Sequence, residues 1–394
     1  MMKYMTAQEA ARKWNVSVRL IQRYCASGRI GGARKSGKGW EIPLEAAKPQ
    51  DPRRKRQPAY GNQPFENLMP LMNSRFKPGS CRELLGSMED GARKDIAFAE
   101  YYYFSGCPEK AAEMAKQYLT CGNTELRLSA CLIVAFANLS IGQIETAKQV
   151  LGEIRNTLKE NKESAAQVRA IDAFIAATAA VLLHLPLPAE MPSPQEFMPV
   201  LPFGLRAFAL YVEGHYLYLQ EEYQKSIGII EAALMTGAQQ YPIPAIYLHL
   251  AAVMDYMGLK QMDMAESHLL AAWELARPDD LIEGFGEHHG LLGGMLEAVI
   301  KQKWPEDFKR IIAITYGFSA GWRKIHNPET GHEVADDLST TEFAAAMLAA
   351  RGWTNVEIGA HMNISANTVK THISQAMKKL GVGSRKELKQ YMLR

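Results

Sequence analysis

The segment Leu338–Arg394 holds three Ser/Thr-x-x-Glu pairs, Ser339/Glu342, Thr354/Glu357 and Ser384/Glu387. In such a capping box the hydroxyl accepts from an unpaired amide of the first helical turn. The glutamate reaches back to the amide before the helix, so each pair marks a helix start. Between the last two pairs lies Ile364-Ser-Ala-Asn-Thr-Val-Lys-Thr-His372, a turn running into a further helix start. Four short helices therefore follow one another, and a tight turn joins the second to the third. That is a helix-turn-helix, a shape whose usual business is reading DNA.

The residues narrow this further. Leu338-Ser-Thr-Thr-Glu342, Gly352-Trp-Thr-Asn-Val-Glu-Ile358, Ile364-Ser365, Thr368-Val-Lys-Thr-His372 and Lys379-Leu-Gly-Val382 with Arg385 agree in order with one pattern. This segment resembles the LuxR/GerE-type DNA-binding domain, departing from it at Thr341 and Ser374. The resemblance implies that the third helix enters the major groove. It further implies that Lys370, Thr371 and Ser374 face base edges, that Thr368 and His372 sit near phosphates, and that Lys378 adds to the cationic rim. It also implies that the last helix, about Ser384–Leu393, pairs two copies.

Charge is divided along the chain. Residues 1–58 carry 14 basic and 4 acidic side chains, a balance of +10, and residues 338–394 carry 8 and 3, a balance of +5. The stretch 59–337 carries 23 and 35, a balance of −12. Cationic ends around an acidic centre suit a protein that meets polyphosphate through its ends.

The front of the chain offers a second reader. Thr6/Glu9 is another capping box, and Ala7, Ala10, Ala11 and Trp14 follow at helical spacing. Ser17 is placed to cap a helix over about 18–27, which Gly28 ends. Short apolar strands, Ile30–Ala33 and Trp40–Pro43, then flank a basic glycine turn, which describes a hairpin wing. Residues 3–50 resemble the MerR/excisionase-like winged helix-turn-helix, carried by Ala10-Ala11, Val16-Ser17, Gly28-Arg29-Ile30 and Trp40-x-Ile42-Pro43. The resemblance implies that Arg19, Gln22 and Arg23 face DNA from the second helix, and that Arg34, Lys35 and Lys38 lie along the DNA backbone or minor groove. Asp51–Pro58, with four consecutive cations, reads as a linker, and Pro64, Pro70 and Pro78 extend it to residue 83.

From residue 84 to 325 the periodicity is helical. Ala111, Ala147, Ser226 and Ala265 are small residues at spacings near one or two repeat periods. Gly214, Leu217, Tyr223, Ser226, Ile230 and Ala233, and again Val253, Tyr256, Met262, Ala265, Leu269 and Ala272, follow a helical-hairpin repeat. The region is similar to tetratricopeptide-like repeats, interrupted at Leu185–Pro202. Aromatics such as Tyr101–Phe104, Tyr211, Tyr216, Tyr218 and Tyr247 read mainly as core, a minority as the lining of an effector pocket.

Other chemistry finds little footing. Gly284–Gly290 follows no strand and reads as a glycine-rich turn. No GxxxxGK[ST] or GxSxG occurs, and His332-Glu333 lacks a second histidine at zinc-protease spacing. Five cysteines without CxxC spacing suit a reducing cytosol. Lys3, Glu9 and Arg12 interrupt any signal peptide, and the longest largely apolar run, Ala173–Leu183, is shorter than the roughly 20 residues of a membrane span.

The expected fold is mainly α. It comprises a winged helix-turn-helix at 1–50, a linker at 51–83, a tetratricopeptide-like centre at 84–325, a linker at 326–337 and a four-helix LuxR-type reader at 338–394. The expected function is sequence-specific transcription regulation in the cytoplasm, without catalysis, metal or cofactor. Double-stranded DNA is the partner, a homodimer the assembly, and a small molecule or peptide the effector. The rival reading is an interaction scaffold whose ends bind proteins.

Overall fold

The structure, a computed structural model, describes residues 4–14, 16–37, 39–46, 48, 65–160, 165–182, 187, 191–326 and 338–389. It divides into two units, Met1–Gln63 and Pro64–Arg394.

The first unit begins with strand β1 (Tyr4–Thr6), then helices α1 (Ala7–Trp14) and α2 (Val18–Ala26) and strands β2 (Arg34–Ser36) and β3 (Gly39–Pro43). The Thr6/Glu9 box closes: the Thr6 amide donates to Glu9 Oε2 at 2.7 Å and the Glu9 amide to Thr6 Oγ1 at 3.3 Å. Ser17 accepts from the Leu20 amide at the start of α2. Gly28, at φ +68°, reverses the chain in a conformation that side chains resist. Two details differ from the sequence reading. The first wing strand is the polar Arg34–Ser36 rather than Ile30–Ala33, because Ile30 is drawn into the core with Ala10, Trp14, Ile21, Tyr24 and Ile42. Tyr4–Thr6 also adds a third antiparallel strand, giving the order β1-β3-β2.

The second unit is helical. After α3 (Cys81–Ser87), helix pairs follow: α4 (Ala92–Phe104) with α5 (Pro108–Lys116), and α6 (Thr124–Ser140) with α7 (Ile144–Glu160). Helix α8 (Ala165–Leu182) and short α9 (Pro194–Phe197) precede α10 (Phe203–Leu219) with α11 (Tyr223–Met235) and α12 (Pro242–Gly258) with α13 (Met262–Ala276). Each pair turns through three residues. Ala111, Ala147, Ser226 and Ala265 are all fully buried on the second helix of a pair. At one of them the reason is visible: Ser226 Oγ donates to Gly214 O at 2.9 Å, and a Cβ on Gly214 would meet Ile230 at 3.1 Å. The described part of 185–202 holds α9 and a 3-10 turn, Met198–Val200. Helix α14 (Glu283–Glu287) occupies part of the expected glycine-rich turn. A π-helical turn, Leu296–Ile300, then leads into α15 (Lys301–Lys303) and α16 (Pro305–His326).

The expected linker 51–83 needs correction over its second half. Phe65, Leu68, Met69, Leu71, Met72 and Cys81 are buried in the core of the helical unit. The prolines do keep this stretch irregular, and irregular buried backbone must find acceptors and donors outside a helix. Three acidic side chains supply acceptors. Glu125 takes the amides of Phe65 and Asn67, Glu100 those of Leu71 and Met72, and Asp279 those of Gly79 and Cys81, at 2.7–3.1 Å. Part of the negative charge of the centre is thus structural. Residues 49–64 and 327–337, where the basic run and the second linker fall, lie outside the described residues.

Helices α17 (Thr340–Ala350), α18 (Asn355–Met362) and α19 (Ala366–Lys379) end the unit, with a 3-10 turn at Arg385–Leu388. The Ser384/Glu387 pair forms, and the segment it opens is 3-10 over Arg385–Leu388 and α-helical at Lys389, where the described residues end. Residues 390–394, which the expected last helix would include, lie outside. One continuous core joins these helices to the centre, from Phe65 to Leu388.

Candidate nucleic-acid interface

The helix-turn-helix is held by its caps. Ser339 and Thr354 each accept from the amide three residues on, and Glu342 and Glu357 accept the cap amides at 2.8 and 2.6 Å. Each cap contributes about 1 kcal/mol. Between α18 and α19 the chain reverses at Asn363, φ +54°, and the Ile364 amide donates to Gly359 O at 2.9 Å. The turn is so close that a Cβ on Gly359 would lie 2.7 Å from Ile364 O. Ser365 then caps α19 through the Thr368 amide at 3.0 Å.

Helix α19 buries Val369, Ile373 and Ala376, one stripe at helical spacing. Lys370, Thr371, Ser374 and Lys378 are all exposed. With successive residues turned by about 100°, these four fall within an arc of about 100° on the side away from the core. Thr368 is exposed beside them, its hydroxyl 2.8 Å from that of Ser365. His372 fits its expected place less well. It is half-buried, and its Nδ1 is buried with no hydrogen-bond partner. The arc therefore presents two ammonium groups and two hydroxyls, the mixture that suits phosphates and base edges.

Behind this face the helices are pinned. Lys379 Nζ pairs with Glu342 Oε2 at 2.7 Å, tying α19 to α17. Burial pushes the Glu342 carboxyl up, but Lys379 and the Ser339 bonds more than offset this and hold it below the usual range. Arg385 donates to Asn355 Oδ1 at 2.7 Å and to Trp353 O, joining the closing turn to the loop before α18.

Nothing in the sequence marks the contact between this domain and the helical centre. Arg351 donates to the Tyr218 hydroxyl and, at 3.4 Å, to Leu291 O. His361 Nε2 lies 3.0 Å from Gly293 O, and burial lowers the imidazole's affinity for a proton. Lys260 reaches Gly352 O at 3.3 Å and Glu357 at 3.7 Å. A Cβ on Gly290 would meet the Phe343 ring at 2.7 Å, so α17 and the 290–294 turn touch backbone to ring. The contacts come from α17, α18 and the loop between them, with Lys389 near Glu221 at 3.8 Å. The outward arc of α19 is left open.

In the first unit, α2 buries Ile21, Tyr24 and Cys25 and exposes Arg19, Gln22 and Arg23. Lys35 is exposed on β2. Arg34 is engaged: its Nε pairs with Glu41 at 2.9 Å and its guanidinium lies 4.4 Å from the Tyr4 ring centre. Lys38 lies outside the described residues. The structure thus places Arg19, Gln22 and Arg23 on one exposed face, and the C-terminal residues on another, in separate units.

The aromatic residues considered for an effector pocket pack mostly as core. Tyr103, Phe104, Phe208 and Tyr247 surround an internal cavity of about 50 Å³. Among the described residues no three His, Cys, Asp or Glu side chains gather as a metal site, and no helix is long and apolar enough to cross a membrane.

Comparison with known proteins meets this geometry at one end. Residues 336–392 match the model of a family described as bacterial regulatory proteins, luxR family. A stretch of 54 residues is 41% identical to the probable transcriptional regulatory protein SgaR of Hyphomicrobium methylovorum, covering 14% of this chain and 26% of that protein. The match thus spans about a quarter of that relative's length. No solved structure matches the chain. Capped helices, a glycine-tight turn and an open polar face in a segment that fits this family make the C-terminal domain a luxR-family helix-turn-helix.

Proposed function

We propose that this protein is a sequence-specific DNA-binding transcription regulator acting in the cytoplasm. Lys370, Thr371 and Ser374 read base edges, while Lys378 and Thr368 hold phosphates. The observation that carries this is the open arc of α19, exposed although the rest of its domain is packed into the core of the second unit. The first unit acts as a second reader of MerR/excisionase type, using Arg19, Gln22 and Arg23. Its support is the pairing of a helix-turn-helix with a basic hairpin. The centre, similar to tetratricopeptide-like repeats, senses a small molecule or peptide and biases how the C-terminal reader is presented. The seat of Arg351 and His361 on the centre supports that role. Two copies bind paired half-sites, because one reader of this size makes too few contacts for tight binding.

Selection from a random pool of double-stranded DNA tests the reading. The full chain enriches a defined motif. Replacing Lys370 and Thr371 by alanine abolishes that motif while leaving weak, salt-sensitive binding. Enrichment of the same motif by the double variant would sink the assignment of α19. Absence of any DNA enrichment, with capture of a protein instead, would favour the scaffold reading.

A further inference from the structure

A groove of about 430 Å³ opens between the α4–α5 turn, the end of α6 and α16. Its walls include Ile141, Ile282, Ala313 and Ile314, and its floor carries Glu283 at the start of α14. Glu283 is fully buried. One carboxylate oxygen, Oε1, accepts from Ser140 Oγ at 3.1 Å, and the other, Oε2, has no partner. A buried carboxyl oxygen without a partner is costly, and such groups call for an explanation. Two glycines let the walls close tightly beside it: a Cβ on Gly106 would collide with Ile314 at 2.7 Å, and one on Gly317 would meet Ser140 O at 3.0 Å.

The charges around the groove favour one ligand class. Among the described residues Arg310 is the one cation lining it, and both terminal nitrogens are committed to Asp280 at 2.6 and 2.7 Å. Glu109 lines the rim from α5 and is exposed. Glu287, one turn along α14, is tied to the hydroxyls of Tyr103 and Tyr247 at 2.5 and 2.7 Å. What is left without a paired cation among the described residues is two carboxyl groups, Glu283 below and Glu109 above. We propose that the groove binds a small organic ammonium ion with an apolar body, its charged end paired with Glu283 and its methylenes against Ile141, Ile282 and Ile314. Burial, and then the nearby Glu287, hold the Glu283 carboxyl well above the usual range. A paired ammonium stabilises the carboxylate that this setting disfavours. A neutral ligand of the same shape gains the apolar contacts alone.

The position on α14 gives binding a route to the reader. Glu283 opens this helix and Glu287 closes it. His288 follows, bonded to Gly284 O and to the Tyr211 hydroxyl at 2.7 Å. Two residues later begins the Gly290–Gly294 turn on which Phe343 and His361 sit. This consequence rests on the sensor reading above, whereas the binding itself does not and is measured without DNA.

The test is thermal unfolding of the full chain with about 10 mM 1,4-diaminobutane, against butane-1,4-diol at matched ionic strength. The amine raises the midpoint by about 2 °C or more and the diol does not. Glu283→Gln, which keeps the Ser140 contact but cannot ionise, loses the shift. Ala313→Trp, on the exposed rim, fills the groove without touching Glu283 and loses it too, which serves if the first variant folds poorly. Equal shifts with amine and diol, no shift at all, or a shift that survives Ala313→Trp would overturn the site.

Discussion

The two helix-turn-helix ends are built from the same local parts and anchored in different ways. Both open on a capping box, and both leave a polar helix face exposed. The N-terminal one closes on its own small core of helix and hairpin. The C-terminal one shares its core with the helical centre, through Arg351, His361 and the glycine turn at 290–294. Local sequence makes the helix-turn-helix in each case. Tertiary contact decides whether such a fold keeps a core of its own or shares one with neighbouring helices.

The largest effect expected from breaking this comparison is at Gly359. Gly359→Val forces a side chain against Ile364 O, and costs the second unit about 3 kcal/mol. Urea unfolding should show this loss while the first unit's transition stays in place. A shift of both transitions together would mean that the units do not fold apart. Next is Arg351→Ala, which removes the bonds to Tyr218 and Leu291 and loosens the seat by about 1.5–3 kcal/mol. Hydrogen exchange should speed up in α17 and in the 290–294 turn alike. Faster exchange in α17 alone would deny the coupling.

A pH effect sharpens the same contact. Burial pushes Asp255 up to about 8, against attraction from the reader's Arg351 and the bond from Ser226. The folded protein therefore holds this proton where the unfolded chain has released it. Its contribution to stability is present below about pH 4 and is lost as pH rises toward 8. Asp255→Asn should flatten the fall in unfolding midpoint between about pH 5 and 8, and an unchanged slope would place its origin elsewhere. The smallest effect is Arg23→Ala in the first unit. Stability should move by no more than about 0.5 kcal/mol, and the salt dependence of DNA binding by about one counterion. A steeper loss would make the N-terminal reader the dominant one.

The sequence carried what is local. Capping boxes, Gly28, the Val369/Ile373 stripe and the small residues of the helix pairs act over a few positions, and each stands where its spacing puts it. What was hidden depends on partners far along the chain. The prolines at 64, 70 and 78 suggested a linker, yet Glu100, Glu125 and Asp279 capture that backbone and bury it. Those acids read from the sequence only as negative charge. Arg351 finds Tyr218 more than a hundred residues away, and no periodicity marks such a pair. Glu283 drew no notice in the sequence, because its burial is set by partners on α6 and α16. At the reading face, the four exposed residues of α19 were legible, whereas the inward lean of His372 was not.

The central claim is that the open face of α19 meets duplex DNA. It is tested most directly by measuring the affinity of the full chain for its selected DNA from about 50 to 200 mM salt, alongside Lys370→Ala. The account predicts a linear fall of log affinity with log salt, and, for Lys370→Ala, a shallower line with preference for the selected sequence lost. Binding that ignores salt, or a variant that keeps both slope and preference, would contradict it.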